Sequence, residues 1–268
     1  MAKKLKSDRV LFTATLLLVF LSIVMVYSAS APLSLERFGQ PYLFVTRQVL
    51  WAVLGLGVLG LSMRLDYRSY RHEPFIWGLL ALVGLMLAAV LFSSPVNGTR
   101  RWFGIGGLGV QPSELAKLAC ILFTALMLER RRHRIDDVSY SLLPIGLVAG
   151  LLVVLILLQP DFGTSMSLLA IVAVMVFAAG LHYQYLATAA LLALPAIYLV
   201  AMSAPYRVRR LTAFLNPWAD PRGDGFQIIQ SLIAVGTGGV FGKGLREGVQ
   251  KLFYLPEPHT DFSFAGIG

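Results

Sequence analysis

The chain reads as an all-α protein, a polytopic transmembrane helical bundle, and three observations predict it. Its 268 residues are 57% hydrophobic and 14% charged, with a mean hydropathy of +0.72, which is too apolar for an ordinary water-soluble domain. Runs such as "LFTATLLLVFLSIVMVYSAS" and "PFIWGLLALVGLMLAAVLFSS" approach the roughly 20 residues needed to cross about 30 Å of hydrocarbon as helix. None of these runs alternates with the period of two that a membrane barrel strand requires.

Taken in order, the apolar runs predict seven spans, at 10–29, 44–63, 74–94, 113–129, 141–159, 164–181 and 185–203, with an eighth beginning near Phe262. The first run has no small-residue cleavage site and is followed by further spans, so it reads as a retained span and not a signal peptide. Lys3, Lys4, Lys6 and Arg9 precede the first span, Arg64, Arg68 and Arg71 follow the second, and Arg130, Arg131, Arg132 and Arg134 follow the fourth. All three clusters fall on one side, which the bias of Lys and Arg toward inner loops makes cytoplasmic. The N-terminus is then cytoplasmic, and a long loop, 205–261, lies outside. That loop carries Arg207, Arg209, Arg210, Arg222, Lys243, Arg246 and Lys251. Long translocated loops are largely exempt from the charge bias, but so many outward cations suit an anionic ligand. Within the loop, "IIQSLIAVGTGGVFG" is too short to span and reads as an interfacial or re-entrant helix, or as a loop packed on the bundle. No repeat or low-complexity segment interrupts the chain, so 1–268 reads as a single membrane domain.

The net charge of +9 would suggest nucleic acid in a soluble protein, but these cations sit in short loops between spans, and no nucleic acid partner is expected. The single Cys120 lies inside an apolar run and reads as a buried bystander.

Three segments carry residues that a membrane helix normally excludes. In "NGTRRWFGIGGLGVQPSELAKLACI", Arg100, Arg101 and Trp102 fall in a loop before Gln111, Pro112, Ser113, Glu114 and Lys117 open the fourth span. Pro112 and Glu114 are helix-start chemistry. Lys117 is three residues deeper and shares a face with Glu114, so the two predict an ion pair, either in a polar cavity or snorkelled at the surface. In "QPDFGTS", Asp161 and Thr164 predict a helix N-cap, and the outward position also puts the Asp161 carboxylate beside the same cavity. In "PEPHTDF", two prolines stiffen the approach to His259, Thr260 and Asp261 at the edge of the next apolar run. Asp261 there is either an N-cap or a functional carboxylate. No nucleophile elbow, phosphate loop, zinc-protease or dinucleotide pattern is present, and "GTGGVFGKG" lacks phosphate-loop spacing. The residues thus describe an outward polar cavity of carboxylates and cations beside lipid, suited to a lipid-linked anionic substrate.

At "GTRRWFGIGGLGVQPSELAKL", "QPDFGTS", "NPWADPRGDGFQIIQSLIAVGTGGVFGKGL" and "QKLFYLPEPHTDF" the chain resembles the SEDS family of bacterial cell-wall proteins (shape, elongation, division and sporulation). The last motif is more like the FtsW-like cell-division branch and its sporulation relatives (SpoVE) than the RodA elongation branch. Ser263 and Gly266 stand where that family usually has larger apolar residues. The family also continues beyond Gly268 with further helices, so the resemblance implies that this chain stops inside its eighth span and lacks activity alone.

The resemblance implies an inverting peptidoglycan glycosyltransferase that polymerises lipid II, the undecaprenyl-pyrophosphate-linked disaccharide peptide, at the outer face of the bacterial cytoplasmic membrane. It maps the family's essential aspartate onto Asp261 as catalytic base, with Arg101, Glu114, Lys117, Asp161, Arg210, Lys243 and His259 as candidate substrate-binding residues. It implies a class B penicillin-binding transpeptidase and other divisome membrane proteins as partners. A divalent cation, Mg or Mn, would suit the pyrophosphate, although no ligand pattern identifies one. A lipid II flippase and a division scaffold are the competing readings. The clustering of polar motifs on one side favours the enzyme, because a flippase needs access from both leaflets.

Overall fold

The computed structural model describes residues 8–95, 99–105, 108–135 and 137–239. Nine helices order the described residues: α1 (Arg9–Phe38), α2 (Leu43–Ser62), α3 (Glu73–Val90), α4 (Pro112–Arg131), α5 (Leu143–Leu157), α6 (Phe162–Ala178), α7 (Tyr183–Met202), α8 (Pro205–Leu215) and α9 (Phe226–Gly238). Five are long and apolar enough to cross a membrane: Arg9–Ala31 of α1, then α2, α3, Val138–Leu157 ending in α5, and α7. The fold is helical, as the composition requires.

The sequence reads as one domain, whereas the contacts group it into two compact units, Asp66–Ser203 and the described parts of Met1–Leu65 with Ala204–Gly268. In the first unit α4 is central, packing against α3, α5 and α6. Along α3 the buried residues are Ile76, Leu80, Val83, Leu87 and Val90, spaced three or four apart as one helical face demands. They meet Ala116, Ala119, Cys120 and Phe123 of α4, Ile145, Ala149, Leu152 and Ile156 of α5, and Leu168 of α6. Ala116 and Ala119 are fully buried, and side chains this small let membrane helices approach closely. Trp77 sets its ring edge-on to Phe123 at 5.3 Å between centroids. Because α4 is walled by its neighbours, it keeps an apolar middle while carrying Glu114 and Lys117 at one end and Glu129, Arg130 and Arg131 at the other. At that second end Arg71 pairs with Glu129 at 2.5 Å, and Arg130 with Glu73.

Two local features depart from the sequence reading. Helix α1 runs nine residues past the expected end at 29, to Phe38. Two serines explain the difference: Ser30 and Ser34 lower the hydropathy but bond back to the chain, Ser30 Oγ donating to the Val26 carbonyl at 2.6 Å and Ser34 Oγ to that of Gln40 at 2.5 Å. Gly39, at φ 67°, then ends the helix in the left-handed region, its N–H donating to the Leu35 carbonyl. The stretch expected as a loop after Arg101 instead forms a small antiparallel hairpin, β1 (Phe103–Ile105) with β2 (Leu108–Val110), pairing Phe103 with Val110 and Gly104 with Gly109. Strands of three residues interrupted by glycine are too short for periodicity to reveal. Gly109 suits the close approach there, since a Cβ would stand 3.0 Å from the ring of Trp102 and press on it.

In the second unit α1 packs on α2, and Gln48 Nε2 lies 3.4 Å from Ser22 Oγ. The motif "NPWADPRGDG" forms a turn after α8. Asp220 accepts from the Gly223 and Asp224 N–H groups at 3.0 and 3.2 Å, and its carbonyl accepts from Gly225 at 3.1 Å. At Gly225 any Cβ would run into the Pro217 carbonyl, so only glycine fits. The segment read as a short helix or a packed loop is helical as far as Gly238.

Candidate functional site

The described part of the site is a helix reversal. Helix α5 ends at Leu157 and α6 begins at Phe162, so the chain turns within "LQPD". Asp161 caps α6: Oδ1 accepts from the Thr164 N–H at 3.2 Å, and Oδ2 from the Thr164 hydroxyl at 2.8 Å. The cap expected at Asp161 is formed, and the residue is only 6% exposed. Burial of this charge requires more than a cap. Gln111, at the head of α4, donates Nε2 to Oδ2 at 3.1 Å, and Arg101 places Nη1 3.8 Å from Oδ1.

Arg101 also serves the helix that is ending. Its Nε donates to the Gln159 carbonyl at 3.0 Å and its Nη2 to the Pro160 carbonyl. Carbonyls at a helix C-terminus have no partner within the helix and attract cations. One guanidinium therefore covers the end of α5 and faces the anion that starts α6, a task its planar fork suits. Gln159 itself is fully buried and sends Nε2 to the Leu87 carbonyl of α3 at 3.1 Å.

Three motifs far apart in sequence thus converge: "TRRW" through Arg101, "VQPSE" through Gln111, and "QPDFGT" through Gln159, Asp161 and Thr164. Three hydrogen bonds, from the Thr164 N–H, the Thr164 hydroxyl and Gln111 Nε2, take up three of the roughly four acceptor positions of the carboxylate, and Arg101 faces it as an ion pair at 3.8 Å. Two buried polar atoms in the same motifs, Gln159 Oε1 and Ser113 Oγ, have no hydrogen-bond partner among the described residues.

Glu114 and Lys117 form the expected pair, Nζ to Oε2 at 2.8 Å, with Glu114 57% and Lys117 25% exposed. They stand near Gln111 on α4 but make no ion pair with Asp161 among the described residues. Arg210 lies on α8 in the other unit and is exposed. Lys243, His259 and Asp261 fall outside the described residues. Sequence reasoning did not single out Gln159. Its signal was the repeated Gln-Pro pair, Gln111-Pro112 and Gln159-Pro160, in which each glutamine precedes a helix start and carries an amide able to satisfy a buried group.

Fold and site together define a multi-pass helical membrane protein whose polar residues gather at helix ends. The chain belongs to the FtsW/RodA/SpoVE family of cell cycle proteins, whose model matches residues 8–268. It is 40% identical over 266 residues to the probable peptidoglycan glycosyltransferase FtsW of Geobacter sp. (strain M18), covering 97% of this chain and 71% of that protein. It is 41% identical over 269 residues to the stage V sporulation protein E of Bacillus subtilis (strain 168), covering 98% and 72%. Among solved structures it superposes on a chain of a peptidoglycan synthase complex that coordinates polymerization and crosslinking, with a TM-score of 0.63 and 32% identity over 91% of this chain and 68% of that one. It also superposes on the rod shape determining protein RodA of Thermus thermophilus, with a TM-score of 0.52 and 29% identity over 87% and 63%.

Proposed function

We propose that this protein is a peptidoglycan glycosyltransferase of the cell-division type, polymerising lipid II at the outer face of the bacterial cytoplasmic membrane. The observation that carries the reading is the 40% identity, across 97% of the chain, to a protein named for that activity. The convergence of Arg101, Gln111 and Asp161 supports it by giving the shared motifs a common physical task.

The reaction joins the anomeric carbon of the growing glycan to the 4-hydroxyl of an incoming lipid II and expels undecaprenyl pyrophosphate, with inversion. It needs a base for the hydroxyl and cations for the departing pyrophosphate. Asp161 is poorly suited to be the base, because both its oxygens already accept hydrogen bonds from Thr164 and Gln111 and Arg101 holds a positive charge against it. It is a positioning residue. Asp261 is the base by resemblance, following the general-base logic of inverting sugar chemistry with a sugar hydroxyl in place of water. Arg210, Lys243 and His259 are the polar candidates for the pyrophosphate and sugar, and Glu114 and Lys117, paired at the head of α4, are further candidates. A divalent cation, Mg or Mn, would add charge neutralisation at the pyrophosphate when bound; among the described residues no three His, Cys, Asp or Glu side chains come together to hold one. A class B penicillin-binding transpeptidase and other divisome proteins are the partners this reading entails.

Polymerisation of purified lipid II, with the partner transpeptidase present, tests the reading, run beside lipid II binding and translocation on the same preparation. Asp261→Asn keeps size and polarity but removes the basic lone pair. Polymer yield should fall by roughly 10²- to 10⁴-fold, the usual worth of general-base assistance, with lipid II binding retained. Normal polymer with translocation abolished would instead identify a flippase.

A further inference from the structure

Helix α8 (Pro205–Leu215) is too short to span a membrane and carries Arg207, Arg209 and Arg210. At about 100° per residue, Arg209 and Ala213 fall on one side, and Leu211, Phe214 and Leu215 on the other, with Arg210 at its border and Arg207, in the first turn, between Phe214 and Leu211. The contacts show which side faces protein. Ala213 is buried, and Arg209 Nε lies 3.3 Å from Asp224 Oδ2 of the following turn. The opposite side is bare: Leu211 is 47% exposed, and Phe214 and Leu215 are each 73% exposed. Trp218, in the turn Pro217–Ala219 that packs on α8, is 64% exposed.

In water such an apolar side would be a liability. Its covalent neighbour says what covers it. Only Ser203 and Ala204 separate α8 from α7, which is long and apolar enough to cross a membrane. Three backbone steps reach about 11 Å at most, so α8 starts at the membrane boundary whatever its direction.

We propose that α8 is an interfacial helix, lying in the plane of the membrane on the side where α7 ends. Leu211, Phe214 and Leu215 sit in the acyl boundary, Trp218 at headgroup level, and Arg210 on the phosphates of bilayer phospholipids. Amphipathic helices with Arg on the polar edge and Leu, Phe or Trp opposite partition in this way, and anionic lipid strengthens their binding. Through the pair between Arg209 and Asp224, α8 would also hold the turn Asp220–Gly225 at a fixed height above the bilayer. This inference does not depend on the glycosyltransferase reading.

The test is a spin-label scan of the whole chain in lipid nanodiscs, with single cysteines introduced at positions 206–215 in a Cys120→Ala background. Relaxation by oxygen, which concentrates in lipid, is compared with relaxation by a water-soluble nickel chelate. The oxygen-to-nickel ratio should oscillate with helical period, with maxima several-fold above the minima at Leu211→Cys and Leu215→Cys. Exchanging zwitterionic for anionic lipid should deepen the Leu215→Cys label, and Arg210→Gln should abolish that response. Nickel access at every position would make α8 a solvated segment, and protection from both relaxants at 211, 214 and 215 would make protein its cover; either overturns the proposal. A depth indifferent to lipid charge would overturn the phosphate contacts.

Discussion

The Arg101 guanidinium stands 3.8 Å from the Asp161 carboxylate while also bonding the Gln159 carbonyl at 3.0 Å, so one side chain joins the end of α5 to the start of α6. The carboxylate is buried and the arginine largely so, with side-chain exposures of 9% and 25%. Arg101 supplies the positive charge that faces the Asp161 carboxylate, whose hydrogen bonds come from Thr164 and Gln111.

Removing Arg101 should be costly, because it leaves a buried anion with less compensation and takes a donor from the Gln159 and Pro160 carbonyls. Arg101→Ala is expected to lose about 3 kcal/mol of stability. Arg101→Lys should recover only part, since an ammonium cannot fork across carbonyl and carboxylate. Denaturant titration in detergent checks this. Combined with Asp161→Asn, the losses should be less than additive; simple addition would mean that the two residues act separately.

The turn after α8 gives a steric prediction. Gly225→Ala drives a methyl into the Pro217 carbonyl, a backbone atom that cannot rotate away, whereas Gly223→Ala meets the Asp220 side chain. Gly225→Ala should therefore destabilise more, by about 2 kcal/mol on the scale of an overpacked site. Equal effects in a thermal unfolding series would show that the turn relaxes freely.

Glu114 and Lys117 offer a charge test. Glu114→Gln alone strands Lys117 inside α4, whereas Glu114→Gln with Lys117→Met removes both charges. The single change should cost more stability than the double. Independent losses in the cycle would mean two separately solvated groups.

The orientation can be checked with an impermeant thiol reagent on intact cells, in a Cys120→Ala background. Arg131→Cys should be protected and Arg222→Cys labelled, because the cationic loops set the inner side. Labelling of both from outside would overturn the orientation.

Much of the fold was legible because lipid imposes a blunt rule. A span needs roughly 20 apolar residues, and helices occupy the positions where such runs occur, with ends displaced by a few residues at α3, α6 and α7. The end of α1 was not legible because Ser30 and Ser34 are polar by hydropathy yet satisfied by the chain itself. The hairpin after Arg101 was not legible because three-residue strands carry no period. Asp161 as a cap was readable from "DFGT", since capping involves only near neighbours.

By itself the sequence determined that this protein is a helical membrane protein, where its long apolar helices run, and that polar residues gather in a few loops, since each of these depends on local composition and spacing; it did not show the short helix α8. Tertiary structure alone decided what those residues do to one another. Arg101 and Asp161 are sixty positions apart, and so no spacing rule could pair them. Only the packing of α4 against α5 and α6 brings a loop arginine, the Gln111 amide and a helix cap to one buried carboxylate, where the cost of burying charge makes their meeting necessary.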